Sequence, residues 1–375
     1  MSVATVKGRG RRFEFVDGLR GLAAMAVVLP HVVALFMYPH EDWLSRLFLR
    51  LADCGRSSVQ VFFVVSGFAI AYSLRDITTD GFSLGRFMLR RAVRLDPPYW
   101  VGMMWAGLVA AIRARATHQP ILPPSFGKVL AHLFYLQDVL GLGQFNVVFW
   151  TLCLEFQLYF VFAVLMRLVS AFRTSQGESR VGIGAEADCY GWLMMATFFT
   201  SLVISHTLWP MVPGWFVPFF YLFLSGSLAA WRALGRISDR AFLVCLLAMA
   251  LSLLLKPELQ RVLGLLTALV LYVAIRADGL HRWLSGRFIQ WLGRISYSIY
   301  LVHAPLAVFF LGLRTRIAPD SKAVSLLCLV GAYASTVALA SLFHVAIEMP
   351  CLRFSKQFNR SRSAQGSGVE QAPPA

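Results

Sequence analysis

The sequence predicts an all-α protein, a polytopic bundle of about ten transmembrane helices, and three observations carry this prediction. Hydrophobic residues make up 58% of the 375 residues and charged residues only 14%, against about 25% charged residues in an average soluble domain. Apolar runs approaching the roughly 20 residues that span a bilayer recur along the chain. Basic residues are concentrated in alternate segments between these runs. So few charges cannot cover the surface of a soluble protein, which excludes a cytosolic enzyme and a DNA-binding domain.

The net charge is strongly basic, with 35 Lys and Arg against 19 Asp and Glu. Because these charges lie between apolar runs, they indicate membrane topology and not a nucleic-acid partner. The six cysteines are scattered and include no Cys-x-x-Cys pair. This spacing suggests neither a disulfide framework nor a zinc site.

Ten apolar runs are candidate spans, and the weakest two could be one broken span, which would leave nine. The ten are 19–38, 58–74, 97–112, 149–168, 190–209, 214–231, 241–255, 260–275, 289–311 and 324–347. With the N-terminus inside, ten spans place 23 basic residues on the cytoplasmic side and 11 outside. Nine spans would move the basic segment 276–294 and the basic tail outside. The positive-inside rule therefore favours ten spans with both termini in the cytoplasm.

The chain divides into a basic N-terminal arm (1–18), a membrane domain (19–350) and a basic, disordered C-terminal tail (351–375). The first apolar run follows the arm without a small-residue cleavage site, so we expect it to be retained as a span. The segment 125–145 has helical spacing but also carries Lys128, His132 and Asp138. It is predicted to be an interfacial helix on the outer side.

This topology makes a direct prediction about two loops. Reporter fusions at Arg46 and Thr79 should report opposite sides of the membrane, with Arg46 outside and Thr79 in the cytoplasm. Alkaline phosphatase and a cytoplasmic reporter, fused in turn at each position, measure this. Finding both positions on one side would contradict the predicted orientation.

Three ionisable residues in separate spans are predicted to reach one depth in the outer half of the membrane: His31, Glu155 and His303. A charged group at the centre of a membrane helix costs roughly 2.5–3.5 kcal/mol on insertion scales, so each needs a reason to be there. Two histidines and a carboxylate suit proton transfer near neutral pH. A metal site with two His ligands and one carboxylate is the alternative.

A second polar group is predicted at the inner face. Arg20 lies eleven residues before His31, which is about 16 Å along a helix and close to three full turns. Arg90, Arg91 and Arg94 are spaced to bind several phosphates of one ligand, although they also fit plain positive-inside charge. Glu348 could pair with one of them. The full predicted donor-binding set is Arg20, Arg90, Arg91, Arg94, Tyr99 and Glu348.

Several other positions have local structural interpretations. Asp96 is predicted to cap the third span, with Pro97 at the first helical position. Pro30 leaves the Ala26 carbonyl without its helical donor. Ser66 and Gly67 are small residues suited to close helix packing, although Ser66 could instead line a cavity. His206 and His344 are interpreted as structural.

Six segments together resemble the integral-membrane acyltransferase 3 family, and they occur in the family's order from Phe15 to Pro350. They are FVDGLRGLAAMAVVLPH, FFVVSGFAI, FMLRRAVRLDPPYW, FWTLCLEFQLYF, WLGRISYSIYLVHAPL and IEMP. The family's first-span basic residue and histidine fall on Arg20 and His31, and its acidic residue falls on Glu155. Thr151 stands where the family usually has Ser, and Leu158 where an aromatic residue is usual.

The resemblance implies an O-acyltransferase that moves an acyl group, often acetyl, from cytoplasmic acyl-coenzyme A to a hydroxyl of an extracytoplasmic carbohydrate, glycolipid or similar acceptor. It implies no permanently bound cofactor, no metal, membrane lipid as the surroundings and the bacterial inner membrane as the location. His31 would be the general base, with Glu155 and His303 as further catalytic residues. The alternative is a proton-coupled transporter or flippase, whose expected internal repeat is not evident in the sequence.

Overall fold

The computed structural model describes residues 13–33, 43–75, 83–120, 123–175, 187–207 and 214–355. Within these ranges the protein is all-helical and has no strand, which confirms the predicted fold class. The helices are α1 (Glu14–Val32), α2 (Trp43–Ser57), α3 (Val59–Ser73), α4 (Leu84–Ala116), α5 (Phe126–Leu133), α6 (Phe149–Ser175), α7 (Ala187–Thr207), α8 (Phe220–Ala233), α9 (Asp239–Leu255), α10 (Leu259–Arg276), α11 (Arg287–Ile317) and α12 (Lys322–Phe343).

Six helical stretches in the described part are both long and apolar enough to cross a membrane. They are Glu14–Val32, Arg46–Ser73, Phe149–Leu168, Leu259–Arg276, Arg287–Ile317 and Lys322–Ser355. Each of the ten predicted spans coincides with a helix, but the count of ten crossings remains a prediction. The weak pair at 241–255 and 260–275 forms two separate helices, α9 and α10, interrupted at Lys256–Glu258.

Several predicted boundaries differ from the observed ones. The first helix begins at Glu14, inside the predicted arm, because Glu14 and Asp17 suit the positive end of a helix dipole. The rest of the arm and the tail from residue 356 lie outside the described residues. In the predicted interfacial segment 125–145, only Phe126–Leu133 is helical, and it is capped by Ser125.

The prediction that Asp96 caps a helix was wrong. Helix α4 runs unbroken through Pro97 and Pro98 from Leu84 to Ala116, and its N-cap is Ser83. The Asp96 carboxylate instead accepts a hydrogen bond from the Tyr135 hydroxyl at 3.0 Å, which joins α4 to the loop after α5.

Glycines bring the helices that carry the predicted site into close contact. A Cβ on Gly21 of α1 would lie 2.6 Å from the Gly293 nitrogen of α11, and a Cβ on Gly293 would lie 2.3 Å from the Asp17 oxygen. Small residues of this kind let membrane helices approach at backbone distance. His31 and His303 each follow their contact glycine by ten residues, so two parallel helices in this register bring the histidines to one level.

Two further close contacts complete the frame around α1 and α3. A Cβ on Gly55 of α2 would lie 2.3 Å from the Ala26 carbonyl oxygen, the carbonyl that Pro30 deprives of its helical donor. Helices α3 and α8 cross at Gly67 and Gly226, where an added Cβ would lie 1.8 Å from Phe223 O and Val64 O respectively. Gly67 is therefore a packing residue, as predicted.

Candidate active site

A cavity between α1, α3, α4, α6 and α11 gathers four of the nine predicted site residues. Its charged lining consists of Arg20, Arg91, Arg94 and Glu155. At the end away from Arg20 it reaches Thr151 and Tyr300. Three cations around one carboxylate leave a positive balance, which suits an anionic ligand such as a phosphate.

The carboxylate of Glu155 is bound by two hydroxyl groups inside this cavity. Ser66 Oγ donates to Glu155 Oε1 at 3.1 Å, and the Tyr159 hydroxyl donates to the same oxygen. The Ser66 side chain therefore lines the cavity, which was the alternative to its predicted role in helix packing. This difference arises because Gly67, the next residue, takes the packing position on α8.

Two of the cavity's arginines have further contacts. The Arg91 guanidinium lies 5.1 Å from the centre of the Tyr159 ring and 5.7 Å from that of Phe87, within the range of cation–π attraction. Arg20 pairs with Asp17 at 3.8 Å. Arg90 is on the same helix as Arg91 but does not line the cavity.

The two predicted histidines meet one turn beyond Tyr300. The His31 and His303 rings lie with their centres 5.0 Å apart in an edge-to-face arrangement, and the Tyr300 ring is 5.7 Å from that of His303. His303 is fully buried, whereas His31 is partly exposed. The structure thus brings these histidines together and places Glu155 with the arginines.

The hydrogen bonds of His303 define which ring nitrogen carries its proton. Nδ1 lies 3.1 Å from Ile299 O and 2.9 Å from Tyr300 O. Carbonyl oxygens only accept, so Nδ1 must be the protonated nitrogen of the neutral ring. The lone pair is then on Nε2, which is buried and has no hydrogen-bond partner in the described residues.

Tyr300 joins the cavity to the loop on the outer side. Its hydroxyl donates to Val148 O at 2.7 Å and also contacts Thr151 Oγ1. Thr151 is the residue that departs from the family's usual Ser, and its hydroxyl serves this contact. The other departure, Leu158, is fully buried in the core.

Glu348 and Tyr99, both predicted to bind the donor, lie outside the cavity lining. The Glu348 carboxylate accepts from Ser298 Oγ at 2.7 Å and lies 2.9 Å from His344 Nδ1. These are its direct partners, although its charge also acts on Arg94. Tyr99 is fully buried, with its ring stacked 4.7 Å from Tyr135.

Sequence reasoning did not foresee the part played by His344. It begins a five-residue π-helical turn, His344–Glu348, at the end of α12. The i, i+4 spacing of His344 and Glu348 was the available signal. Such turns are frequent at functional sites. This one brings the Glu348 carboxylate to Ser298 of α11, with His344 against the same carboxylate oxygen.

The metal-site alternative needs Glu155 beside both histidines. Across the described ranges, no three His, Cys, Asp or Glu side chains converge in a way that could hold a metal ion. Glu155, the carboxylate that this alternative requires, accepts hydrogen bonds from Ser66 and Tyr159 instead.

Comparison with known proteins identifies the family. A family model described as an acyltransferase domain, of the acyltransferase 3 type, matches residues 13–345. The chain belongs to the acyltransferase 3 family. No solved structure matches the chain.

Characterised relatives carry acyltransferase names. The chain is 25% identical to the acyltransferase MdmB of Streptomyces mycarofaciens, over 96% of this chain and 97% of that protein. It is 25% identical to the O-acetyltransferase PaAT-1 of Phomopsis amygdali, over 78% of this chain and 72% of that protein. It is 26% identical to the peptidoglycan O-acetyltransferase OatA of Listeria monocytogenes, of which it covers 49%. This protein is therefore an O-acyltransferase of the membrane.

Proposed function

We propose that this acyltransferase takes its acyl group from acyl-coenzyme A on the cytoplasmic side and transfers it to a hydroxyl on the outer side. The observation that carries the proposal is the cavity that runs from Arg20, Arg91 and Arg94 to Tyr300, with the histidine pair one turn further out. Phosphates would bind the arginines, and the thioester at the end of the long pantetheine arm would reach the histidines. The roughly 16 Å between Arg20 and His31 suits such an extended arm.

In the proposed transfer, an ester bond to the acceptor replaces the thioester bond of the donor. The acceptor oxygen bonds to the acyl carbon, the carbon–sulfur bond of the thioester breaks, and the hydroxyl proton passes through His31 to the leaving thiolate. His31 is the better placed base because it is partly exposed, while His303 is fully buried against it. The Nε2 lone pair of His303 can stabilise the protonated state of His31. An acyl-histidine relay is a variant with the same overall balance.

In this mechanism Glu155 acts on the donor side. Its negative charge lies among three arginines and, together with Asp17 beside Arg20, offsets part of their charge in a low-dielectric region. Transfer of acetyl to a carbohydrate or glycolipid at the bacterial inner membrane is the specific form that we propose, supported by relatives named as O-acetyltransferases.

The test is the affinity for acyl-coenzyme A. Arg91→Ala should weaken donor binding by about 10- to 100-fold, because a hydrogen bond to a charged group contributes roughly 1.5–3 kcal/mol. The loss should shrink at high salt. Isothermal titration of the purified protein in nanodiscs with acetyl-coenzyme A measures it.

Arg86→Ala is the matched control, since Arg86 is an exposed arginine on the same helix and lines no part of the cavity. Its affinity should equal that of the wild type. If Arg91→Ala leaves the affinity for acetyl-coenzyme A unchanged, Arg91 acts only as a positive-inside charge, and the proposed donor site is wrong.

A further inference from the structure

A second concavity lies outside the cavity just described, between the outer halves of α4 and α11. Ala106 and Val109 of α4 and Pro305 of α11 form apolar walls, and Arg113, Gln119 and Asn146 add polar groups. The groove has no role in the mechanism above. Its walls combine a long apolar surface with a few polar groups, the usual composition of a small-molecule site.

Asn146 supplies a hydrogen-bond donor that the protein itself does not use. The residue is only 6% exposed. Its Oδ1 accepts from the Val148 backbone N–H at 3.3 Å, which assigns the other end of the amide as the NH₂ group. This Nδ2 is buried and has no partner in the described residues. Because a buried donor without an acceptor is unfavourable, this NH₂ group marks a place where a ligand oxygen would be stabilised.

The groove is connected to the histidine pair through both of its sides. Pro305 follows His303 by two residues on α11. On the loop side, Val148 receives the Tyr300 hydroxyl at 2.7 Å, and Tyr300 contacts His303. The Trp105 indole also donates to Val302 O at 3.3 Å and joins α4 to α11 beside the groove. A molecule in the groove therefore lies against the helix that carries His303, whose ring contacts the proposed base His31.

We propose that this groove binds the acyl acceptor, and that the acceptor is an amphiphilic alcohol. This inference rests on the proposed function and names the substrate class for it. One oxygen of the acceptor accepts from Asn146 Nδ2, its apolar part packs on Ala106, Val109 and Pro305, and its reacting hydroxyl extends from the groove toward His31, past the buried His303. Arg113 at the exposed edge admits a neutral or anionic acceptor and disfavours a cationic one.

Direct binding of a probe tests the groove separately from transfer. The probe is radiolabelled hexyl β-D-glucoside, measured by equilibrium dialysis against the protein in nanodiscs, with empty nanodiscs as the lipid background. Asn146→Asp keeps an oxygen for the Val148 N–H but replaces the Nδ2 donor by a second oxygen, so probe binding should weaken about tenfold. Val109→Trp fills the apolar wall and should weaken it at least as much. Methyl β-D-glucoside should bind more weakly than the hexyl probe to the wild type.

The matched control is Leu108→Trp, which adds the same side chain one residue away on a 53% exposed, outward-facing position. It should bind the probe as the wild type does. Unchanged acetyl-coenzyme A affinity in all three variants shows that they are folded. Equal probe binding in all proteins, or none in the wild type, would overturn the groove. Intact probe binding without any acetyl transfer to the probe or to other alcohols would overturn the proposed function and leave the groove standing.

Discussion

Replacing His31 by alanine is expected to reduce acyl transfer by about 10²–10⁴-fold, the usual contribution of a general base. His31→Gln should fail as badly, because glutamine keeps a polar side chain of similar length but accepts no proton at working pH. Both variants should still bind acetyl-coenzyme A with wild-type affinity, since the arginines of the donor cavity are untouched. Transfer of labelled acetyl to an alcohol acceptor, measured at saturating donor, reports the loss.

His206→Ala is the control for this experiment. His206 lies beside Arg261 on the other side of the bundle and belongs to neither the cavity nor the histidine pair. It should retain nearly all activity. If His31→Gln keeps most of the activity, His31 is a hydrogen-bonding wall residue, and His303 with its unpartnered Nε2 becomes the base to test next.

The largest structural effect is expected from Gly67→Ala. The new Cβ would lie 1.8 Å from the Phe223 carbonyl oxygen, so α3 and α8 must move apart. Over-packing typically costs 1–3 kcal/mol and occasionally more, and the cross-helix bond from Ser227 Oγ to Gly67 O at 3.2 Å would also be lost. The variant should unfold at a clearly lower temperature in detergent and lose donor binding, because Ser66 beside it would no longer reach Glu155.

Gly107→Ala provides the comparison. A Cβ on Gly107 of α4 meets no atom within 4 Å, and alanine is the better helix former by up to about 1 kcal/mol. Its melting temperature should equal or exceed that of the wild type. A melting temperature for Gly67→Ala within a degree of this control would show that α3 and α8 tolerate separation.

The helical class could be predicted from the sequence, because helix-length apolar runs are conspicuous there, and the intramembrane charges supplied the candidate site residues. That His31 and His303 lie at one level was predictable from depth alone. The partners of Glu155 were not, because depth says nothing about the direction in which a side chain leaves its helix. The same limit applies to Tyr99, whose burial among aromatic rings depends on the rotation of α4.

Other features depend on distant parts of the chain meeting. The Pro97–Pro98 pair predicted a helix start, yet α4 continues through it because surrounding packing overrides the local preference. The Asn146 Nδ2 group, which has no partner among the described residues, is visible only once its neighbours are in place. Buried donors without partners leave no signal in a sequence.

The position of Tyr300 has a consequence for the permeability of the membrane to protons. A protein that lets a thioester reach the far side of a membrane also offers a route along which protons could leak and dissipate the ion gradient. The phenol ring stands between the arginine cavity and the histidine pair, and its hydroxyl is fastened to Val148 and Thr151. In the proposed mechanism we expect this ring, held by its hydroxyl, to limit proton leakage between the two sides and to move aside when the thioester passes.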